Sequence, residues 1–110
     1  MDFQKLSKIF KALASDSRLS LFVKIATHQE SDFEEDACVV SNLMSLFKIS
    51  APTISHHLKE LSNADLITTE KRGKYLIARI NYKTLEEITD LLTVLKKESN
   101  TTNEEENGSI

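Results

Sequence analysis

The chain is poor in cysteine, glycine and proline, and each shortage excludes a class of protein. Its single cysteine cannot form an intrachain disulfide. Two glycines, one proline and no tryptophan in 110 residues exclude collagen-like, proline-rich and low-complexity chains. No apolar run approaches the roughly 18 residues that cross a bilayer, and the first residues lack the pattern of a secretory signal. We therefore expect a cytoplasmic protein with no membrane partner.

What the chain does contain fits one helix-rich globular domain. Hydrophobic residues make up 40% of it and charged residues 28%. The net charge of −3 argues at first against a nucleic-acid partner. However, seven bases and three acids give the stretch from Lys48 to Lys83 a net charge of +4. Acid is concentrated in residues 30–36 and near the end, so we expect a domain over residues 1–97 and an acidic disordered tail over residues 98–110.

Apolar residues at helical spacing predict four helices in the first two thirds of the chain. The first ends near Ala14, the second begins after Ser15 and ends near His28, and the third begins after Asp36. The second helix is expected to bury a face formed by Leu19, Phe22, Val23 and Ala26. The turn Lys48-Ile49-Ser50 joins the third helix to the fourth, and two helices joined by so short a turn form a helix-turn-helix.

The fourth helix, Ser50–Leu61, separates an apolar face from a polar one. Ser50 is a good N-cap residue, and Pro52 is tolerated in the first turn. At about 100° per residue, one stripe holds Ile54, Leu58 and Leu61. The opposite face holds Pro52, Thr53, His56, Lys59 and Asn63, with Ser55 at its flank. Hydroxyls, an imidazole and a lysine suit a DNA major groove. His57 borders the apolar stripe, so we expect it to be a hydrogen-bonded structural histidine.

The next segment has the pattern of a β-hairpin. Ile67–Lys71 and Tyr75–Ile80 are rich in β-branched or aromatic residues and flank the turn Arg72-Gly73-Lys74. The tip carries three positive charges, on Lys71, Arg72 and Lys74. A last helix is predicted over Tyr82–Lys97. The predicted fold is therefore mainly α with a small β-hairpin wing, a winged helix-turn-helix of order α-α-α-α-β-β-α.

The first and last helices are more apolar than the core of a small winged-helix domain needs. This surplus predicts a symmetric subunit interface and hence a homodimer. The expected interface residues are Phe3, Leu6, Phe10, Leu85, Ile88, Leu92 and Leu95. The alternative is that both helices only close the core of a monomer.

Three stretches of the sequence resemble the ArsR/SmtB family of bacterial winged-helix regulators. They are Lys11–Leu19, Ser50–Leu61 and Asn63–Ile67, and the resemblance extends over roughly residues 5–95. It implies a dimeric repressor that binds an inverted-repeat operator in double-stranded DNA and is released by an inducer, whose identity stays unknown. By position, the implied base-reading residues are Thr53, Ser55 and His56. The implied phosphate or minor-groove contacts are Ser50, Lys59, Lys71, Arg72 and Lys74.

The family's metal-sensing members place two cysteines, separated by one residue, at the start of the third helix. Here the corresponding residues are Cys38-Val39-Val40, and no histidine follows Tyr82. We therefore expect neither of the family's usual metal sites and no cofactor. A cysteine at a helix N-terminus can have its thiolate favoured by the helix dipole, so a redox-sensing role for Cys38 is an alternative hypothesis.

Other function classes have less support. The chain has no glycine-rich phosphate loop, no paired catalytic carboxylates and no nucleophile with an evident base, so we do not expect an enzyme. A winged-helix module that binds a protein instead of DNA is the main alternative, because the fold alone does not fix the partner and the whole chain is acidic.

Overall fold

The computed structural model describes residues 1–28 and 37–107, and these ranges contain five helices and three strands. In chain order they are α1 (Phe3–Leu13), α2 (Asp16–Thr27), β1 (Ala37–Val39), α3 (Val40–Phe47), α4 (Ala51–Asn63), β2 (Ile67–Arg72), β3 (Tyr75–Ile80) and α5 (Tyr82–Asn107). The five predicted helices and the predicted wing hairpin are all present. The prediction of a mainly helical, winged helix-turn-helix fold is confirmed.

Side-chain caps begin the first two helices. The Asp2 carboxylate accepts a hydrogen bond from the backbone N–H of Lys5 at 3.1 Å, and the Ser15 hydroxyl accepts one from Arg18 at 3.4 Å. Both caps satisfy backbone donors that have no partner within their own helix. The corner between the helices also brings Arg18 against the end of α1, where its Nε donates to the Ala12 carbonyl oxygen at 2.7 Å.

The turn between α3 and α4 depends on one residue in the left-handed region. Lys48 ends α3 with φ of 54° and ψ of 40°. The next backbone N–H, that of Ile49, donates to the Met44 carbonyl oxygen at 3.3 Å. The chain thus reverses within three residues, and α4 begins at Ala51. This is the predicted helix-turn-helix.

A three-stranded antiparallel sheet of order β1-β3-β2 forms the wing and its base. The sequence pattern assigned the residues after Asp36 to the third helix, which is wrong for residues 37–39, because these form β1 and α3 begins at Val40. Three residues are too few for an alternating pattern to show, and pairing with β3, with Cys38 opposite Ala78, makes this segment a strand. The expected Asp36 cap lies outside the described residues.

The core lies where α1, α2, α3 and α4 meet the sheet. Its most buried side chains include Ile9, Ile25, Leu43, Ile54, Leu61, Leu66 and Ile77. The face predicted for α2 is partly wrong: Leu19 and Val23 are 44% and 48% exposed, whereas Leu21, Phe22 and Ile25 are buried. Because α2 is apolar on more than one side, helical spacing alone admits both stripes, and contact with the rest of the core decides between them.

Helix α5 is longer than predicted. It begins at Tyr82 as expected but ends at Asn107 instead of near Lys97, so the backbone of residues 98–107 is helical where disorder was expected. Residues 98–107 contain no glycine or proline that would break the helix, and four of them are glutamates, which favour helix more than the six serine, threonine and asparagine residues do. The first part of α5 packs on the core through the half-buried Leu85, Ile88 and Leu91. Within the described ranges, no helix is long and apolar enough to cross a membrane.

Candidate nucleic-acid interface

Helix α4 has the two faces that its sequence predicts. Ile54, Leu58 and Leu61 are 2%, 4% and 0% exposed and pack in the core. The opposite face is exposed along its length, at Pro52, Thr53, Ser55, His56, Lys59 and Asn63. Because the buried stripe fixes the rotation of the helix, the polar face must point to solvent. The exposure of these side chains is therefore settled by packing, while their roles in DNA binding stay predictions.

The beginning of α4 is built differently from that of α1 or α2. Ser50 is the N-cap residue, as predicted, but its side chain makes no hydrogen bond to the helix backbone. Its hydroxyl donates instead to the Thr53 Oγ1 at 2.9 Å. Pro52 in the first turn removes one backbone donor without loss. The remaining first-turn N–H groups have no side-chain cap, and such groups bind phosphate well.

His57 lies beside the buried face and not on the exposed one. It is half-buried, as its position beside the apolar stripe predicts. The expected hydrogen bond is not observed, because the buried Nδ1 has no partner among the described residues. Burial lowers the pKa of His57 below its ordinary value near 6.5, and the positive charges of Arg18 and His56 lower it further. The neutral imidazole is therefore favoured.

The wing presents its positive charges at the tip of the β2–β3 hairpin. Gly73 adopts φ of 60°, which lets the two strands reverse tightly. Lys71 and Lys74 are exposed and Arg72 is half-buried. The ammonium of Lys74 lies 5.3 Å from the centre of the Tyr75 ring, which holds that charge near the turn. The three basic residues predicted for the tip are thus brought together.

A carboxylate on the wing was missed by the sequence analysis. Glu70 accepts hydrogen bonds from Arg79 at 2.5 Å and from Arg72 at 3.4 Å. The hydrogen bond from Arg79 is the main cause that lowers the pKa of Glu70 below its usual range, and Arg72 lowers it further. In the β2–β3 register Thr68 lies opposite Arg79, so Glu70 is its diagonal neighbour. The predicted turn Arg72-Gly73-Lys74 would pair Lys71 with Tyr75, whereas the structure pairs Arg72 with Tyr75. This shift of one residue puts Glu70 and Arg79 on the same face, so the predicted hairpin could not identify the pair.

The predicted dimer residues divide into exposed and buried groups. Phe3, Phe10, Leu92 and Leu95 are 72%, 43%, 54% and 55% exposed. Leu85 and Ile88 are half-buried against the protomer's own core. The prediction is wrong for Leu6, which is 4% exposed because it shares the buried stripe of α1 with Ile9 and Ala12. Val94, which was not among the predicted interface residues, is 48% exposed on α5.

The redox hypothesis loses its structural premise. Cys38 is in strand β1, not at the N-terminus of α3, and its side chain is fully buried. A side chain with no exposed surface is not in contact with an oxidant in solution, which a redox-sensing cysteine requires. Among the described residues, no group of three or more histidine, cysteine, aspartate or glutamate side chains could hold a metal ion.

Comparisons with known proteins agree on one family. A family model described as "Bacterial regulatory protein, arsR family" matches residues 33–69. The arsenical resistance operon repressor of Staphylococcus xylosus is 33% identical over 95 residues, which cover 86% of this chain and 84% of that protein.

Two solved structures share the fold. The crystal structure of an ArsR family transcriptional regulator superposes with a TM-score of 0.72 at 20% identity, covering 91% of this chain and 95% of that one. The second is the homodimeric winged helix-turn-helix DNA-binding domain of a possible ArsR-family regulator from Mycobacterium bovis. It gives a TM-score of 0.64 at 20% identity, covering 87% of this chain and 82% of that one.

Proposed function

Because this chain belongs to the arsR family of bacterial regulatory proteins, we propose that it is a homodimeric transcriptional repressor that binds an inverted-repeat operator and leaves it when an inducer binds. The domain responsible is residues 1–97, which act in the cytoplasm and catalyse no reaction. The relative from Staphylococcus xylosus is named a repressor, which supports the direction of the response.

The observation that carries this proposal is the exposed face of α4. Thr53, Ser55 and His56 are exposed on a helix whose rotation the buried stripe fixes. Side chains of this kind can donate to and accept from base edges in a major groove. Ser50 at the N-cap of α4 and Lys59 on its exposed face suit phosphate oxygens.

The wing supplies the second element of the surface. Lys71, Arg72 and Lys74 carry a charge that suits a phosphate backbone or a minor groove beside the site of α4. A cationic tip on a hairpin gives affinity without sequence preference, and α4 gives the preference. The overall charge of −3 does not prevent binding, because the acid is concentrated outside this stretch.

Dimerisation accounts for the exposed apolar side chains of α1 and α5. Phe3, Phe10, Leu92 and Leu95 form no part of the protomer core, and a large exposed apolar surface is typical of a protein interface. The domain from Mycobacterium bovis is homodimeric. A symmetric pair would present two α4 helices to half-sites about 34 Å apart, one turn of DNA.

The inducer of this protein is not expected to be a soft metal ion held by two cysteines of the family type. Val40 takes the place of the second cysteine and is 4% exposed in the core. The side chain of valine contains only carbon and hydrogen, so it has no sulfur, nitrogen or oxygen atom that could bind a metal. Cys38 alone is buried in β1 and cannot complete such a site.

Selection of bound duplexes from a random pool tests this function. The purified chain should enrich an inverted repeat, and its affinity should fall steeply as salt rises for operator and random duplexes alike. A protein-interaction module with this fold would bind neither duplex at low salt. Failure to enrich any sequence, together with negligible affinity at low salt, would contradict the proposal.

A further inference from the structure

A basic cleft lies between the second half of α1, the beginning of α2 and the last turns of α4, and Asn63 is the one residue that it shares with the exposed face of α4 described above. Its volume is about 610 Å³, which falls in the range of small-molecule sites. Ala12 and Ala64, each 7% exposed, lie at its base. Their small side chains leave the space that larger residues would fill.

The cleft carries excess positive charge. Lys8, Lys11 and Arg18 line it, against one carboxylate, that of Glu60. Within the described part of the chain, none of these three cations forms an ion pair with an acid. Three cations against one lining carboxylate give this concave surface a net positive charge, which attracts an anion with several negatively charged oxygens.

A hydrogen bond to the end of α1 fixes the position of the Arg18 side chain in the cleft. Its Nε donates to the Ala12 carbonyl oxygen at 2.7 Å, and its own backbone N–H is capped by Ser15 at 3.4 Å. Its side chain is half-buried against the end of α1. The two terminal nitrogens of the guanidinium therefore remain as a pair of oriented donors, a geometry that matches phosphate.

The polar wall of the cleft indicates the rest of the ligand. Glu60 and Asn63 lie one turn apart on α4 and both line the cleft. A carboxylate accepts hydrogen bonds from hydroxyl groups, and a primary amide both accepts hydrogen bonds from them and donates to them. The negative charge of Glu60 would repel the continuous phosphate backbone of DNA, so the cleft suits a small molecule better than DNA.

We propose that this cleft binds a phosphorylated, hydroxyl-bearing small molecule of the sugar-phosphate class and is the inducer site of the repressor. Lys8, Lys11 and Arg18 hold the phosphate, while Glu60 and Asn63 hold hydroxyls. The part of this inference that concerns DNA release rests on the proposed function. The binding itself does not.

The position of the cleft explains how a ligand bound there would affect the DNA-binding surface. Helix α1 carries Lys8 and Lys11 and also the exposed Phe10 of the dimer surface. Helix α4 carries Glu60 and also the exposed His56. A ligand that contacts both helices changes the angle between the dimer surface and the base-reading face. Operator binding and ligand binding then weaken each other by the same factor.

Binding is tested by nuclear magnetic resonance on the full chain, without DNA. Glucose 6-phosphate and inorganic phosphate are the probes, with glucose and chloride at equal ionic strength as references. Glucose 6-phosphate should shift the backbone amides of Lys11, Arg18 and Asn63 and bind more tightly than inorganic phosphate. The double variant Lys8→Gln, Lys11→Gln should weaken this binding at least about tenfold. Lys83→Gln, which removes an exposed charge from α5, should leave it unchanged.

The second part of the experiment measures operator affinity by fluorescence anisotropy. Glucose 6-phosphate should weaken operator binding by the wild-type chain and not by the double variant, whose affinity without ligand should equal that of the wild type. Weaker operator binding by the double variant without ligand would assign the cleft to the DNA backbone and overturn the proposal. Equal binding of both phosphates, or binding that leaves the amides of Lys11, Arg18 and Asn63 unshifted, would also overturn it. If no operator exists, the first part still decides whether the cleft binds the ligand.

Discussion

Substitutions on the two faces of α4 should separate stability from DNA recognition. Ile54 is 2% exposed in the core, and Ile54→Ala removes three carbon atoms. At about 0.8 kcal/mol for each buried carbon, the transfer free energy alone lowers the free energy of unfolding by about 2.4 kcal/mol. The cavity that remains brings the expected loss to about 3–4 kcal/mol. The milder change Ile54→Val should lower it by about 1 kcal/mol.

On the opposite face, His56→Ala should change the free energy of unfolding by less than about 0.5 kcal/mol, because the side chain is exposed. It should weaken specific operator binding by about 1–3 kcal/mol and relax the sequence preference at one position of each half-site. Urea unfolding followed by circular dichroism measures the stability, and anisotropy titration on operator and scrambled duplexes measures the binding. Ile54→Val serves as the matched control, since it should lower stability while the folded fraction binds normally. A His56→Ala protein that unfolds readily, or that binds operator as the wild type does, would refute the assignment of the two faces.

Three further predictions concern polar groups. Glu70→Gln should remove the negative charge beside Arg72 and Arg79 and so tighten binding to random duplexes, with a steeper dependence on salt. Unchanged or weaker binding in a salt titration would count against this prediction. Thr84 is 1% exposed and its hydroxyl has no partner among the described residues. Thr84→Val should therefore raise the free energy of unfolding, measured in urea, by about 1 kcal/mol. A lower free energy of unfolding would contradict this prediction. The pKa of His57 is lowered on folding, so protonation favours the unfolded chain. The contribution of His57 to the free energy of unfolding should be complete above pH 6.5 and should decline as the pH falls from there toward the pKa of His57 in the folded chain. A resonance titration should find that pKa below 6.5, and a higher value would show the opposite sign.

The sequence predicts α4 and the wing well because local chemistry and tertiary packing agree there. Ser50 and Pro52 mark the start of the helix, and its apolar stripe coincides with the core. In the wing, the turn at Gly73 fixes where the two strands reverse. The basic tip and the polar face of α4 follow directly from these two elements.

The errors occur where tertiary contacts decide between local alternatives. Ala37–Val39 becomes a strand only because β3 offers a free edge. Leu6 belongs to the core because the buried stripe of α1 passes through it, whereas Phe3 points away. The Glu70–Arg79 pair depends on hairpin register, and the basic cleft depends on how α1, α2 and α4 meet. Neither can be read from one segment of sequence.

The central claim is that two copies of α4 bind one face of an inverted-repeat duplex together. The most direct test is to insert five base pairs between the half-sites of the selected operator and measure affinity. Half a turn of DNA places the second half-site on the opposite face, so a rigid dimer should lose at least about a hundredfold in affinity. Affinity that survives the insertion unchanged would contradict the claim.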